Sequence, residues 1–272
     1  MSISAFAFTL MNVTAKKMTH FNAFELVCFR SIGTLIFTTP YLLHHRIPIL
    51  GTHKKLLFTR SLVGFISMSM FFLSLHYLPV GSAVTLRYLS PIFAAVFSII
   101  LLKEKIAPIR WLFFFIAFSG VVILKYVDIQ INFIGLGFIL ISALFGGLVY
   151  VTINKIGDKE HSYTIVNYFM IFNVIVGGFL SLFDWTTPTK EDILPLLSLG
   201  IYGFFGQLYM TKAFQTSDVN KVAPIKYLEV IFTVMIGVSF FNETYPLFSL
   251  IGIGLIILGL ILNIFYKKSK TG

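Results

Sequence analysis

Apolar residues along this chain come in long blocks, not in strict alternation. Runs of roughly 20 residues with few charges recur at about 2–17, 23–43, 56–77, 81–102, 108–127, 133–154, 163–183, 192–215, 219–241 and 246–266. A helix rises 1.5 Å per residue, so about 20 apolar residues cross the ~30 Å hydrocarbon core of a bilayer. The pattern predicts ten transmembrane helices and an all-α integral membrane protein. The connecting segments are too short to hold a soluble domain. The first block is short and starts at Met1 without a positively charged leader, so it reads as a retained anchor, not a cleaved signal.

The blocks also repeat. Displaced by 139 positions, Arg87-Tyr88-Leu89 falls on Lys226-Tyr227-Leu228, Glu104 on Glu243 and Gly120 on Gly259. A duplicated set of apolar helices is the sequence trace of transporters assembled from two related halves. The halves are 1–127 and 133–266, joined by Asp128-Ile129-Gln130-Ile131-Asn132. Five crossings per half is an odd number, so the second half is expected to enter the membrane upside down. Charge points the same way. The loop from Lys103-Glu104-Lys105 to Arg110 is basic, whereas its counterpart Asn242-Glu243-Thr244 has no Lys or Arg. The expectation is two inverted five-helix repeats.

Composition narrows the function classes. Hydrophobic residues make up 57% of the chain and charged residues 12%, where a soluble domain carries about a quarter charged. The net charge of +10 would suit nucleic acid, but its distribution does not. With the N-terminus in the cytoplasm, 12 of the 21 Lys and Arg residues fall in even-numbered loops and the tail. Only Lys16, Lys17, Lys125 and Lys190 fall in odd-numbered ones. This is a positive-inside bias. It predicts a multi-pass protein of the cytoplasmic (inner) membrane with both termini cytoplasmic, its basic residues at lipid headgroups and no nucleic-acid partner. Cys28 alone cannot form an intrachain disulfide, and the six histidines match no metal-ligand spacing, so no metal or cofactor is expected. No phosphate-binding GxxxxGK[ST] loop appears, nor the signatures of metalloproteases or α/β-hydrolases.

Charges inside the crossings carry the candidate chemistry. Arg30, Arg60, Arg87, Lys212 and Lys226 remain after the loop residues are set aside. A cation at the bilayer centre costs at least ~2.5–3.5 kcal/mol, so such residues usually face a cavity or a partner. Arg60 and Lys212 lie near crossing ends, where their stems allow snorkelling to the headgroups. Arg30, Arg87 and Lys226 sit about 10 Å deep. Arg87 and Lys226 are repeat mates, each followed by a tyrosine, Tyr88 and Tyr227, able to stack on a ligand or bond to it. Glu229, the deepest acid, shares a helix face with Lys226. It reads either as a proton- or amine-binding group or as a static partner of Lys226. Glu25 opens the second crossing as an interfacial charge, and Gln207 adds a polar position in the eighth. Pro91 and Pro224 interrupt the fourth and ninth crossings, giving either packing kinks or hinges. Ser142/Gly146 and Ala143/Gly147 allow close helix contact, within the bundle or between two copies in a homodimer.

Several segments together resemble the EamA branch of the drug/metabolite transporter superfamily. They are Phe29-Arg30-Ser31, Arg60-Ser61-Leu62, Ser90-Pro91-Ile92-Phe93 and Leu101-Leu102-Lys103-Glu104-Lys105 in the first half. In the second half they are Lys212-Ala213-Phe214, Ala223-Pro224, Tyr227 and Phe241-Asn242-Glu243. The resemblance implies ten helices in two inverted repeats and a secondary carrier moving small metabolites by alternating access. The arginine-serine segments look most like the subgroup that includes S-adenosylmethionine uptake transporters. The expected function is therefore transport of a small polar or zwitterionic metabolite, amino-acid-like or S-adenosylmethionine-like, and not enzymatic. Arg87, Lys226, Tyr88, Tyr227, Glu229, Arg30 and Gln207 are expected to bind it, with Pro91 and Pro224 as hinges. The alternatives are a non-catalytic subunit of another membrane protein or an enzyme acting on lipid headgroups.

Overall fold

In the computed structural model, residues 1–87, 89–102, 108–127, 132–216, 229, 232, 235–236, 238–240, 242, 244 and 246–266 are described. Among them there is no strand. The helices are α1 Ser2–Lys17, α2 Ala23–His44, α3 Lys54–Ser74, α4 Val80–Arg87 and α5 Ser90–Leu102. They continue with α6 Ile109–Val127, α7 Phe133–Ile156, α8 Ser162–Ser181, α9 Ile193–Thr216 and α10 Leu247–Phe265. Among the described residues, five helical stretches are long and apolar enough to cross a bilayer: Ala23–His44, Lys54–Ser74, Phe133–Lys159, Ser162–Ser181 and Ile193–Thr216. Large apolar side chains stand fully outward, Phe133 at 77% and Leu194 at 76% exposure, as lipid-facing positions require. The expected ninth crossing, with Pro224, Lys226 and Tyr227, lies mostly outside the described residues, as does Tyr88.

Local chemistry sets the helix ends. Asn22 caps α2 by accepting from Phe24 N at 2.9 Å, and Glu25 Oε2 returns the bond by accepting from Asn22 N at 2.9 Å. This capping box satisfies two donors that a helix start leaves open. Asn132 caps α7 in the same manner through Ile134 N. At the other end of α3, the Lys16 ammonium donates to the Leu75 and Leu78 carbonyls at 2.6 and 2.9 Å, supplying charge where the helix dipole is negative.

The fourth apolar block is two helices, not one. α4 stops at Arg87 and α5 starts at Ser90, so Pro91 falls in the first turn of α5. Proline has no N–H for the carbonyl four residues back, which is that of Arg87. The Ser90 hydroxyl donates to that carbonyl at 2.7 Å instead.

Small residues bring the helices together. α2 packs on α8 and α9, α1 on α9, α3 on α7 and α8, α5 on α7, and α6 on α10. α2 and α9 cross where Gly33 meets Gly200, so closely that a Cβ on Gly33 would lie 2.6 Å from the Gly200 Cα. Ser67 and Ser142 exchange hydroxyl-to-carbonyl bonds between α3 and α7 at 2.8 and 2.7 Å. Gly146 and Gly147 rest on Ser90 and Ala94 of α5. The small-residue stripe of α7 is thus used within the bundle.

Candidate functional site

A cavity of about 50 Å³ lies at the middle of the bundle. That is room for a few water molecules and far below the volume of a typical metabolite pocket. Among the described residues, side chains from α1 to α4 and from α7 to α9 line it. α1 brings Phe8 and Met11, α2 brings Arg30, and α3 brings Arg60, Met68 and Phe71. Arg87 comes from the end of α4, Tyr150 from α7, Phe169 from α8, Gln207 from α9, and Glu229 from the second half.

Arg30 and Arg60 are each 1% exposed, among the largest fully buried side chains of the molecule. Glycines make room for both. A Cβ at Gly203 would lie 2.9 Å from Arg30 Nε, and one at Gly64 would run into Arg60 Nη1. Arg30 Nη1 meets the Met68 sulfur, a weak acceptor, and Nη2 stands 3.5 Å from Gln207 Oε1. Arg60 lies with its guanidinium carbon 3.9 Å from the centre of the Phe169 ring. Arg87 is half-buried and stacks on Phe71 at 4.4 Å. Burial leaves Arg30 Nε, Arg60 Nε and Nη1, and Gln207 Nε2 without an acceptor among the described residues.

Other buried polar groups behave differently. Ser31, Thr34 and Thr85 each donate to the carbonyl one turn back on their own helix. Such hydroxyls are self-sufficient and indicate no ligand. Glu229 is 4% exposed and accepts from Asn12 Nδ2 at 2.9 Å.

The structure brings Arg30, Arg87, Gln207 and Glu229 to one cavity. Two sequence expectations are corrected. Arg60, expected to snorkel, is buried against Phe169, because α3 turns that face toward α8 and not toward the headgroups. Glu25, expected as an interfacial charge, is fully buried, its Oε1 accepting from Thr186 N at 2.7 Å beside the capping box. Arg60 and Tyr150 join the candidate lining, and Asn12 stands behind it, bonded to Glu229. Only Arg60-Ser61, echoing Arg30-Ser31, carried a sequence signal. Lys212 is exposed, its ammonium 5.3 Å from the Tyr163 ring centre.

A family model described as the EamA-like transporter family matches residues 1–126 and again 133–265. The chain belongs to that family. Among relatives of this EamA-like transporter is the pseudopaline exporter CntI of Pseudomonas aeruginosa, 28% identical over 95% of this chain and 92% of its own. The S-adenosylmethionine uptake transporter of Rickettsia conorii is 28% identical over 93% of this chain and 86% of its own. Human solute carrier family 35 member G1 is 24% identical, covering 98% and 79%. A crystal structure with 15% identity superposes with a TM-score of 0.70 over 95% of both chains, a likeness of fold. These relatives bear the names of transporters, not of enzymes.

Proposed function

We propose that this EamA-family protein is a secondary transporter moving a small polar metabolite across the cytoplasmic membrane by alternating access. The observation that carries the reading is the cavity at the centre of the bundle, lined by buried cations. Buried charges are costly in a bilayer unless they serve a pathway or a partner. At about 50 Å³ the cavity suits an occluded state that widens on one side at a time.

Helix register supports two repeats, 1–127 and 133–266. α8 and α9 begin at Ser162 and Ile193, each 139 positions after the starts of α2 and α3 at Ala23 and Lys54. Packing is reciprocal under that exchange: α1 packs on α9 as α7 does on α3, and α2 on α9 as α8 on α3. Two copies related by an axis through the centre make such exchanged contacts. In this scheme Arg87 and Lys226 approach the ligand from opposite sides with Tyr88 and Tyr227. Arg30 and Gln207 contact it between them, and Glu229 takes an amine or a coupling proton. Pro91 and Pro224 supply the bends, and the Lys and Arg asymmetry supports cytoplasmic termini. Amino-acid-like and S-adenosylmethionine-like solutes are candidates, the second prompted by the name of a relative.

Alternation is tested by thiol access. Cys28 is the single cysteine, so Cys28→Ser gives a clean background. Met11→Cys or Met210→Cys then places one thiol at the cavity. Reaction with a membrane-impermeant maleimide applied to either face of proteoliposomes is expected. Reaction from one face alone, under all solute conditions, would rule alternation out.

A further inference from the structure

We infer that the cavity, in the widened state that admits solute, takes an organic anion with two carboxylates, one met by Arg30 and Gln207, the other by Arg60. The inference deepens the transport reading above and rests on it only in taking the ligand to be the transported solute.

Charge is the first observation. Three guanidinium groups line the cavity, and Arg30 lies within electrostatic reach of both Arg87 and Arg60. Glu229, the acid described beside them, already accepts from Asn12. A ligand with one carboxylate would pair with one arginine and leave the remaining cations facing each other in a low dielectric. A ligand of net positive charge, such as a sulfonium amino acid, would add to the repulsion. Against the described groups, three guanidiniums and Glu229, two carboxylates bring the charge close to balance.

Hydrogen-bond demand is the second observation, independent of the first. Arg30 Nε, Arg60 Nε and Nη1, and Gln207 Nε2 are donors buried without an acceptor among the described residues. Buried donors are rarely left so. Arginine presents its N–H groups as a planar fork that matches the two oxygens of a carboxylate. The open donors form two groups on different helices. Arg30 and Gln207 are paired across α2 and α9, and Arg60 is fixed over Phe169 by α3 and α8. Much of the remaining lining is apolar, with Met11, Met68, Phe71 and Phe72, which suits a methylene chain better than a hydroxyl-rich sugar.

The test is a thermal-shift titration of the purified full-length protein. The probes are the straight-chain dicarboxylates from malonate to pimelate and L-glutamate. Each is compared with its monoamide (L-glutamine for L-glutamate), and S-adenosylmethionine is run alongside. At least one diacid is expected to stabilise the protein, with its monoamide about tenfold weaker or more, the loss of one charge-assisted contact. Arg60→Gln is expected to erase the preference for diacid over monoamide. Arg60→Lys, a milder change that keeps the charge, is expected to reduce it. Equal response to diacid and monoamide, a stronger response to S-adenosylmethionine or L-glutamine, or no response to any diacid would overturn the inference. Proteoliposome uptake of the same labelled probes separates the two readings. Uptake of S-adenosylmethionine without diacid binding would sink the ligand class and leave transport standing. Diacid binding without flux would do the reverse.

Discussion

Asn12 donates from Nδ2 to Glu229 Oε1 at 2.9 Å, joining residues 217 positions apart. Both side chains are buried and Glu229 lines the cavity, so the bond ties the first helix to the candidate site. Asn12→Leu keeps the volume and removes the donor. Loss of a charge-assisted bond costs about 1.5–3 kcal/mol, and the carboxylate then has one fewer N–H to hold it. The variant is expected to melt several degrees lower and to lose solute uptake. Asn12→Asp sets a second carboxylate against Glu229 and is expected to be worse at neutral pH. Wild-type melting in both variants would exclude a stabilising role for the bond.

Glycine positions separate packing from open surface. Gly33→Ala would press a methyl group against the Gly200 backbone, which has no side-chain freedom to yield. An overpacked contact costs about 1–3 kcal/mol, and here α2 and α9 would be forced apart. Gly137→Ala meets nothing within 4 Å and sits inside α7. Relief of glycine's backbone entropy there is expected to stabilise by about 0.5–1 kcal/mol. Melting of the two variants in the same detergent checks the opposite signs. Equal shifts would mean that the Gly33–Gly200 crossing is not tight.

Gly64→Ala tests the cavity without adding or removing a charge. Its methyl group would run into the Arg60 guanidinium and come 2.9 Å from Phe169. The guanidinium is the far end of a flexible side chain, so it moves where the Gly200 backbone cannot. The expected outcome is a small change in melting temperature with a large loss of uptake. The reverse pattern would make Gly64 a packing residue alone.

The helices were legible because a bilayer leaves the backbone little choice. With no water to satisfy N–H and C=O groups, long apolar blocks become helices. The block read at 2–17 is α1, Ser2–Lys17, and that at 133–154 is α7, Phe133–Ile156. Pro91 announced a break in the fourth block, but its place just before Ser90 goes with the Ser90 hydroxyl taking the Arg87 carbonyl. Depth along a helix was a poor guide to Arg60. Counting from the helix end ignores which face is turned inward, and that face is set by Phe169, 109 positions away. Glu25 was legible after all, since Asn22-x-x-Glu25 is a capping box. Its bond to Thr186 was not, because nothing local links residues 161 apart.

Glu160 fastens the turn after α7 to the start of α3. Its Oε1 accepts from Thr52 N at 2.6 Å, Thr52 Oγ1 at 2.8 Å and His53 N at 2.5 Å. The His53 ring nitrogen Nδ1 stands 3.2 Å away. Burial alone would raise the carboxyl, but the bonds from His53 and Thr52 outweigh it and hold the acid below its ordinary range. A carboxyl depressed in the folded state adds stability above its unfolded value, and that stability is lost as pH falls through the folded one. The protein is therefore expected to melt at progressively lower temperature as pH drops below about 4. Glu160→Gln keeps an acceptor but removes the charge, and is expected to cost about 1–2 kcal/mol at pH 7. The variant should also lose part of the acid dependence, whereas Asp192→Asn, altering a half-buried acid held down chiefly by Thr189, tests a second depressed carboxylate. Parallel melting curves for wild type and Glu160→Gln between neutral pH and pH 3 would place the acid lability elsewhere.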